Sequence, residues 1–193
     1  MRYTGITVAL REVVLKEKPK ELIACSAKAT VPVLVLDEGR EHQEVVDESL
    51  DIMMWALAQH DPDGWLDIDL VLANKLISAN DDQFKPWLDR YKYPNRYADL
   101  KPGEPLAHCE VFLQTLEDRL QTSAYLCGEQ VSCVDMSIYS FVRQFAFVDM
   151  DWFSDSRYVE VNRWLQNFLK SSLFASVMDK YPQWQTGDAG AQF

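Results

Sequence analysis

Five residues, His60-Asp61-Pro62-Asp63-Gly64, constrain this chain more than any other stretch. Two aspartates, a proline and a glycine in a row end a helix: proline offers no N–H and clashes with the preceding turn, and glycine takes the backbone where other residues resist. On either side the patterning differs. Before the break, short β-branched runs alternate with helix formers. After it, apolar residues recur three and four apart almost to the end. The fold class this predicts is α+β, with a small strand-containing domain over 1–60 and an all-helical domain over 65–193. At 193 residues the chain is long enough for two small cores.

Within the first domain, Thr7–Leu15 reads as a strand and Lys18–Ala24, with proline in its first turn, as a short helix. Val31–Leu36 reads as a second strand opening on proline, Asp37–Arg40 as a turn, and 44–47 as the returning arm of a hairpin. A helix then spans Ser49–Gln59. In the second domain Leu106, Cys109, Leu113, Leu116 and Leu120 lie on one helix face. Val134, Ile138, Phe141 and Phe145 lie on another, and Val161, Trp164, Leu165 and Phe168 on a third. Such stripes are core faces of a bundle.

Charge narrows the partners. With 19 Lys+Arg against 30 Asp+Glu the net charge is -11, which repels phosphate backbones and anionic lipid, so nucleic acid is excluded as a partner. The basic and aromatic residues interleaved through Phe84–Tyr97 would suit a single-strand groove, but Asp81, Asp82, Asp89 and Asp99 cancel their charge. A structural or small-ligand role is expected there. No apolar run reaches the roughly 18 residues of a membrane span, and the N-terminus has no uninterrupted secretory core, so a cytoplasmic location without membrane attachment is expected. Cys25, Cys109, Cys127 and Cys133 make no C-x-x-C, and His42, His60 and His108 stand far apart, so no metal site is expected.

Three local features bear on ligand chemistry. Thr30-Val31-Pro32 places a proline at a strand start; a cis bond there would turn the Val31 N–H and C=O outward, toward an extended peptide. Glu48-Ser49 stands where a helix begins, so the Ser49 hydroxyl and the first free N–H groups can hold a carboxylate while Glu48 takes an ammonium. Lys18 supplies a cation for a second carboxylate. Taken singly, these are an N-cap, an edge proline and a solvated lysine. Together they describe glutathione: a zwitterionic head, a peptide middle and a distant carboxylate.

The segments L-K-E-K-P-K-E-L at Leu15–Leu22, T-V-P-V-L-V-L at Thr30–Leu36 and D-E-S-L-D-I at Asp47–Ile52 resemble the thioredoxin-like domain of the cytosolic glutathione transferase family, nearest to its omega-like bacterial members. Gly128–Asp135 resembles the family's G-x-x-x-S-x-x-D motif, whose physical role is a capping box between Ser132 and Asp135. The resemblance implies that Lys18 meets the glycyl carboxylate, Val31 the cysteinyl backbone, and Glu48 and Ser49 the γ-glutamyl head, with Pro32, Ser132 and Asp135 structural. It also implies glutathione as cosubstrate, no metal, a small hydrophobic or disulfide second substrate, and a homodimer.

Two departures qualify it. Ala27 and Ala29 stand where the family often has Pro and Gly. The family's first strand and helix, which carry the thiol-activating Tyr, Ser or Cys, have no counterpart, since Met1–Ile6 resembles the end of that helix. The expectation is therefore a truncated thioredoxin-like domain with no catalytic residue. The resemblance implies that the absent strand is an interior one, between Thr7–Leu15 and Pro32–Leu36, whose loss would leave two backbone rows without a partner. Cys25 has neither a histidine beside it nor a helix N-terminus to lower its pKa, and is not read as a substitute nucleophile. Three readings follow: a glutathione-dependent transferase, a non-catalytic binding or assembly protein of the same fold, or an omega-like thiol-disulfide reductase.

Overall fold

The computed structural model describes residues 1–37, 39 and 43–193. Contacts divide the chain into one unit of Met1–Asp63 with Ser172–Phe193 and another of Gly64–Ser171. The expected turn at Asp37–Arg40 and residue His42 lie partly or wholly outside the described residues.

The first unit contains β1 (Ala9–Leu10), α1 (Lys20–Cys25), β2 (Leu34–Leu36), β3 (Glu44–Val46), α2 (Ser49–Gln59), α9 (Ser172–Ser176) and β4 (Ala191–Gln192). β2 and β3 pair antiparallel, Leu34 opposite Val46 and Leu36 opposite Glu44, which is the expected hairpin. The strand expected over Thr7–Leu15 is confined to Ala9–Leu10, because its ladder partner supplies two residues only, and Val14 and Leu15 are left exposed. That partner is β4, so one backbone row of β1 is paired by residues 191–192, in a two-stranded sheet separate from that of β2 and β3. Residues 172–193, read from sequence with the helical region, group by contacts with Met1–Asp63, and residues 191–192 form β4 against β1. α2 has the expected bounds, and the break after it returns on the N-terminus: His60 Nδ1 lies 2.9 Å from the Thr4 carbonyl, and the Tyr3 hydroxyl accepts from the Asp63 N–H at 3.0 Å.

The second unit is helical: α3 (Leu70–Ala79), α4 (Lys85–Lys92), α5 (Glu104–Leu120), α6 (Cys133–Ala146), α7 (Met150–Asp155) and α8 (Val159–Leu169). A π-helical turn, Asn80–Phe84, joins α3 to α4 just ahead of Pro86, whose missing N–H would break a regular ladder. The three predicted stripes form the core except at Leu106 and Phe141, which are half-buried. Leu113, Leu116, Val134, Ile138, Val161, Trp164 and Leu165 are all fully buried.

Two buried carboxylates organise this core. Asp135 and Ser132 form the reciprocal capping box of α6. The Asp135 carboxylate also accepts from the Leu126 N–H at 3.0 Å and from Trp164 Nε1 at 2.8 Å, tying the preceding loop and α8 to one side chain. Burial raises its pKa, and these donors offset only part of the rise. Glu117, in the middle of α5, accepts from the Glu160 and Val161 N–H groups at 3.0 Å each and so caps the start of α8 from outside.

Candidate functional site

The β2–β3 register places the start of β2 opposite the end of β3. Val31-Pro32 and Glu48-Ser49 therefore stand at the same end of the hairpin. The Val31-Pro32 bond is cis. Val31 is 44% exposed and precedes the ladder, which begins at Leu34. Its backbone groups have no partner among the described residues, so they are available to pair with an extended ligand.

Glu48, not Ser49, occupies the cap position of α2, and no side chain caps the helix. Its first N–H groups are therefore open to an anion, beside the exposed Ser49 hydroxyl. Glu48 is held by Lys28, whose Nζ lies 2.5 Å from Glu48 Oε1 and 3.5 Å from Asp47 Oδ1. Ser26 Oγ donates to the other Asp47 oxygen at 3.1 Å. The Glu48 hydrogen bond is the main reason the Lys28 pKa is raised. Sequence reading missed Lys28, because only the fold brings the loop after α1 against the α2 start. The available signal was an isolated lysine preceding a Val-Pro.

Lys18 is exposed two residues ahead of α1. Ser26 and Lys28 follow the other end of that helix, six residues or about 9 Å long at 1.5 Å per residue. Immediately after Lys28, Ala29 has φ +47°, in the left-handed region. That is the position where the resembled family often has glycine, and the conformation explains why.

No residue was expected to act on the ligand's sulfur. The Tyr3 hydroxyl is engaged by Asp61 and Asp63, and its pKa is pushed up to about 12, mainly by burial. Cys25 ends α1 and donates to the Leu22 carbonyl at 3.3 Å, at the helix end whose dipole disfavours a thiolate. Cys109 is fully buried, and burial raises its pKa to about 12. Among the described residues, no group of three or more His, Cys, Asp and Glu side chains could hold a metal, and no helix is long and apolar enough to cross a membrane.

In the helical unit the stretch Phe84–Tyr97 splits by role. Phe84 is fully buried and packs on Phe112 and Phe145. Trp87 stacks on His108 with centroids 3.7 Å apart. Tyr93, 40% exposed, lines a groove of about 380 Å³ with Lys92, Arg143, Phe147 and Val148.

Comparison with known proteins gives a consistent picture. The family model described as glutathione S-transferase, N-terminal domain, matches residues 1–59, and that described as glutathione S-transferase, C-terminal domain, matches 106–167. Together they cover more than half of the chain. No curated protein sequence matches it significantly. Among solved structures, glutathione S-transferase 1-6 of Anopheles dirus is similar with a TM-score of 0.70 at 18% identity, over 86% of this chain and 78% of its own. A glutathione transferase of Pseudomonas putida, solved with one glutathione disulfide bound per subunit, is similar with a TM-score of 0.66 at 17% identity, over 82% and 73%. A class Gtt2 glutathione S-transferase of Vibrio parahaemolyticus is similar with a TM-score of 0.65 at 21% identity, over 82% and 76%.

Proposed function

Because the chain belongs to the glutathione S-transferase family, we propose that it binds glutathione at the shared end of the β2–β3 hairpin and presents the thiol to a small electrophile or disulfide. The observation that carries this is the uncapped start of α2 beside Glu48, at the same end of the hairpin as the exposed Val31 and its cis bond to Pro32. The α2 N–H groups and Ser49 hold the γ-glutamyl carboxylate, and Glu48 takes its ammonium from Lys28. Val31 pairs with the cysteinyl backbone, and Lys18 meets the glycyl carboxylate. Pro32 holds the turn, and the Ser132–Asp135 box holds α6. In the transfer reaction the thiol loses its proton to solvent, a sulfur–carbon bond forms, and the leaving group departs with its electron pair. In the reductive variant the thiolate attacks a disulfide, forms a mixed disulfide and releases a thiolate.

The second substrate is a small hydrophobic or disulfide compound. The exposed aromatic and aliphatic groove at Tyr93, Phe147 and Val148 supports a helical-unit site for it. The family resemblance supports a cytoplasmic homodimer without nucleic-acid partners, and the charge of -11 supports the last point.

A second reading, a non-catalytic binding or assembly protein, is favoured by the engagement of the Tyr3 hydroxyl with Asp61 and Asp63 and of the Cys25 thiol with the Leu22 carbonyl. Calorimetry with glutathione on the purified chain separates the two. One-site binding that weakens about tenfold in Glu48→Gln, the loss of one charge-assisted contact, supports the glutathione reading. No heat from a well-folded protein supports the assembly reading. Conjugation of a chromogenic electrophile then decides whether binding is productive.

A further inference from the structure

The segment that closes over β1 does more than end the chain. Val8 and Phe193 exchange both backbone hydrogen bonds, at 3.1 and 3.0 Å, and the ladder continues through Ala9–Gln192 and Leu10–Ala191. Gly190 follows at φ +84°, and a Cβ placed there would stand 2.9 Å from the Leu10 carbonyl oxygen, so only glycine allows this close approach. Six residues earlier Trp184 is 92% buried. Its backbone N–H donates to Glu12 O at 2.8 Å, its indole donates to Asp188 O, and Arg11 lies 5.0 Å from its ring centroid. At the far end the Arg2 guanidinium covers Phe193 at 4.4 Å. Thr186 Oγ1 donates to Glu21 at 3.0 Å, tying the same segment to α1. By contrast, Val177–Lys180, which leads into it, is exposed and without regular structure.

This is the anatomy of strand addition: backbone bonds supply the pairing, and two aromatic anchors flanking a glycine supply selectivity. We propose that the edge of β1, with the Trp184 pocket beside it, is a strand-acceptor site for extended segments of the form W-x5-G-x2-F, and that residues 181–193 are its tethered occupant. The site belongs to the first unit alone and is independent of glutathione binding.

Residue-resolved hydrogen exchange on the full chain tests this. The Val8 and Phe193 amides are expected to be protected together and to lose at least tenfold of that protection together in Gly190→Ala, while α5 amides are unchanged. Trp184→Ala, which leaves the backbone path unaltered, is expected to do the same. A synthetic peptide of residues 181–193 added to the Gly190→Ala chain is expected to restore Val8 protection saturably, and its Trp184→Ala version is not. Unprotected Val8 in the parent chain, protection indifferent to both substitutions, or rescue equally good without the tryptophan would overturn the proposal.

Discussion

Replacing Asp135 by alanine is expected to cost the helical unit more than any other single polar change. The carboxylate is fully buried and accepts from the Leu126 N–H, the Ser132 N–H, the Ser132 hydroxyl and Trp164 Nε1. The hydroxyl can turn to another acceptor, but the three N–H donors cannot. Alanine leaves them buried and unpaired, each at about 1–3 kcal/mol, and removes a capping box worth about 1 kcal/mol. Allowing for partial relaxation, the loss is about 4–6 kcal/mol, comparable to the whole stability of many domains. Asparagine keeps one acceptor oxygen and the shape, so Asp135→Asn should lose about half as much. Urea unfolding followed by far-UV circular dichroism reads both: the midpoint falls while the slope is kept, in the order parent, Asn, Ala. If Asp135→Ala unfolds within 1 kcal/mol of the parent, the idea that one carboxylate holds the loop, α6 and α8 together is wrong.

Three further outcomes follow from particular residues. Ala29→Gly removes a left-handed strain of about 1–2 kcal/mol and adds about 0.5–1 kcal/mol of unfolded-state entropy, so it should stabilise the first unit slightly, raising its unfolding midpoint. Glu117→Ala leaves the Glu160 and Val161 N–H groups without their acceptor and should destabilise by about 2–4 kcal/mol in the same urea assay, with Glu117→Gln intermediate. Burial raises the Cys109 thiol from 9.0 to about 12. Its contribution is therefore fully present below pH 9 and is lost as pH rises toward 12, at up to about 1.4 kcal/mol per pH unit. Thermal melts between pH 9 and 12 should fall more steeply for the parent than for Cys109→Ala.

The helical part of the fold was legible because a 3.6-residue period and a capping box are local signals. The stripes at Leu113–Leu120, Val134–Phe145 and Val161–Phe168 form buried faces, and α2 has the bounds its sequence indicates. The strands were less legible. Thr7–Leu15 has strand propensity throughout, but a strand extends only as far as its partner, and the partner here lies at the other end of the sequence, at Ala191–Gln192. Nothing in the pattern of 181–193 marks it as a strand; Gly190 and Trp184 acquire meaning only against Leu10 and Glu12. The candidate site divides likewise. Val31-Pro32 and Glu48-Ser49 were readable as short motifs, whereas Lys28 depends on the approach of the loop after α1 to the start of α2.

The central claim is that glutathione lies across the hairpin end, with its head at the start of α2. A backbone amide titration with glutathione tests it most directly. The account predicts saturable shifts at Val31, Ser49 and Leu50, with the Lys28 and Glu48 signals moving as their ion pair opens, and no response in α5 or α8. Saturable binding that leaves Val31 and Ser49 unmoved, or that maps to the helical unit instead, would contradict it.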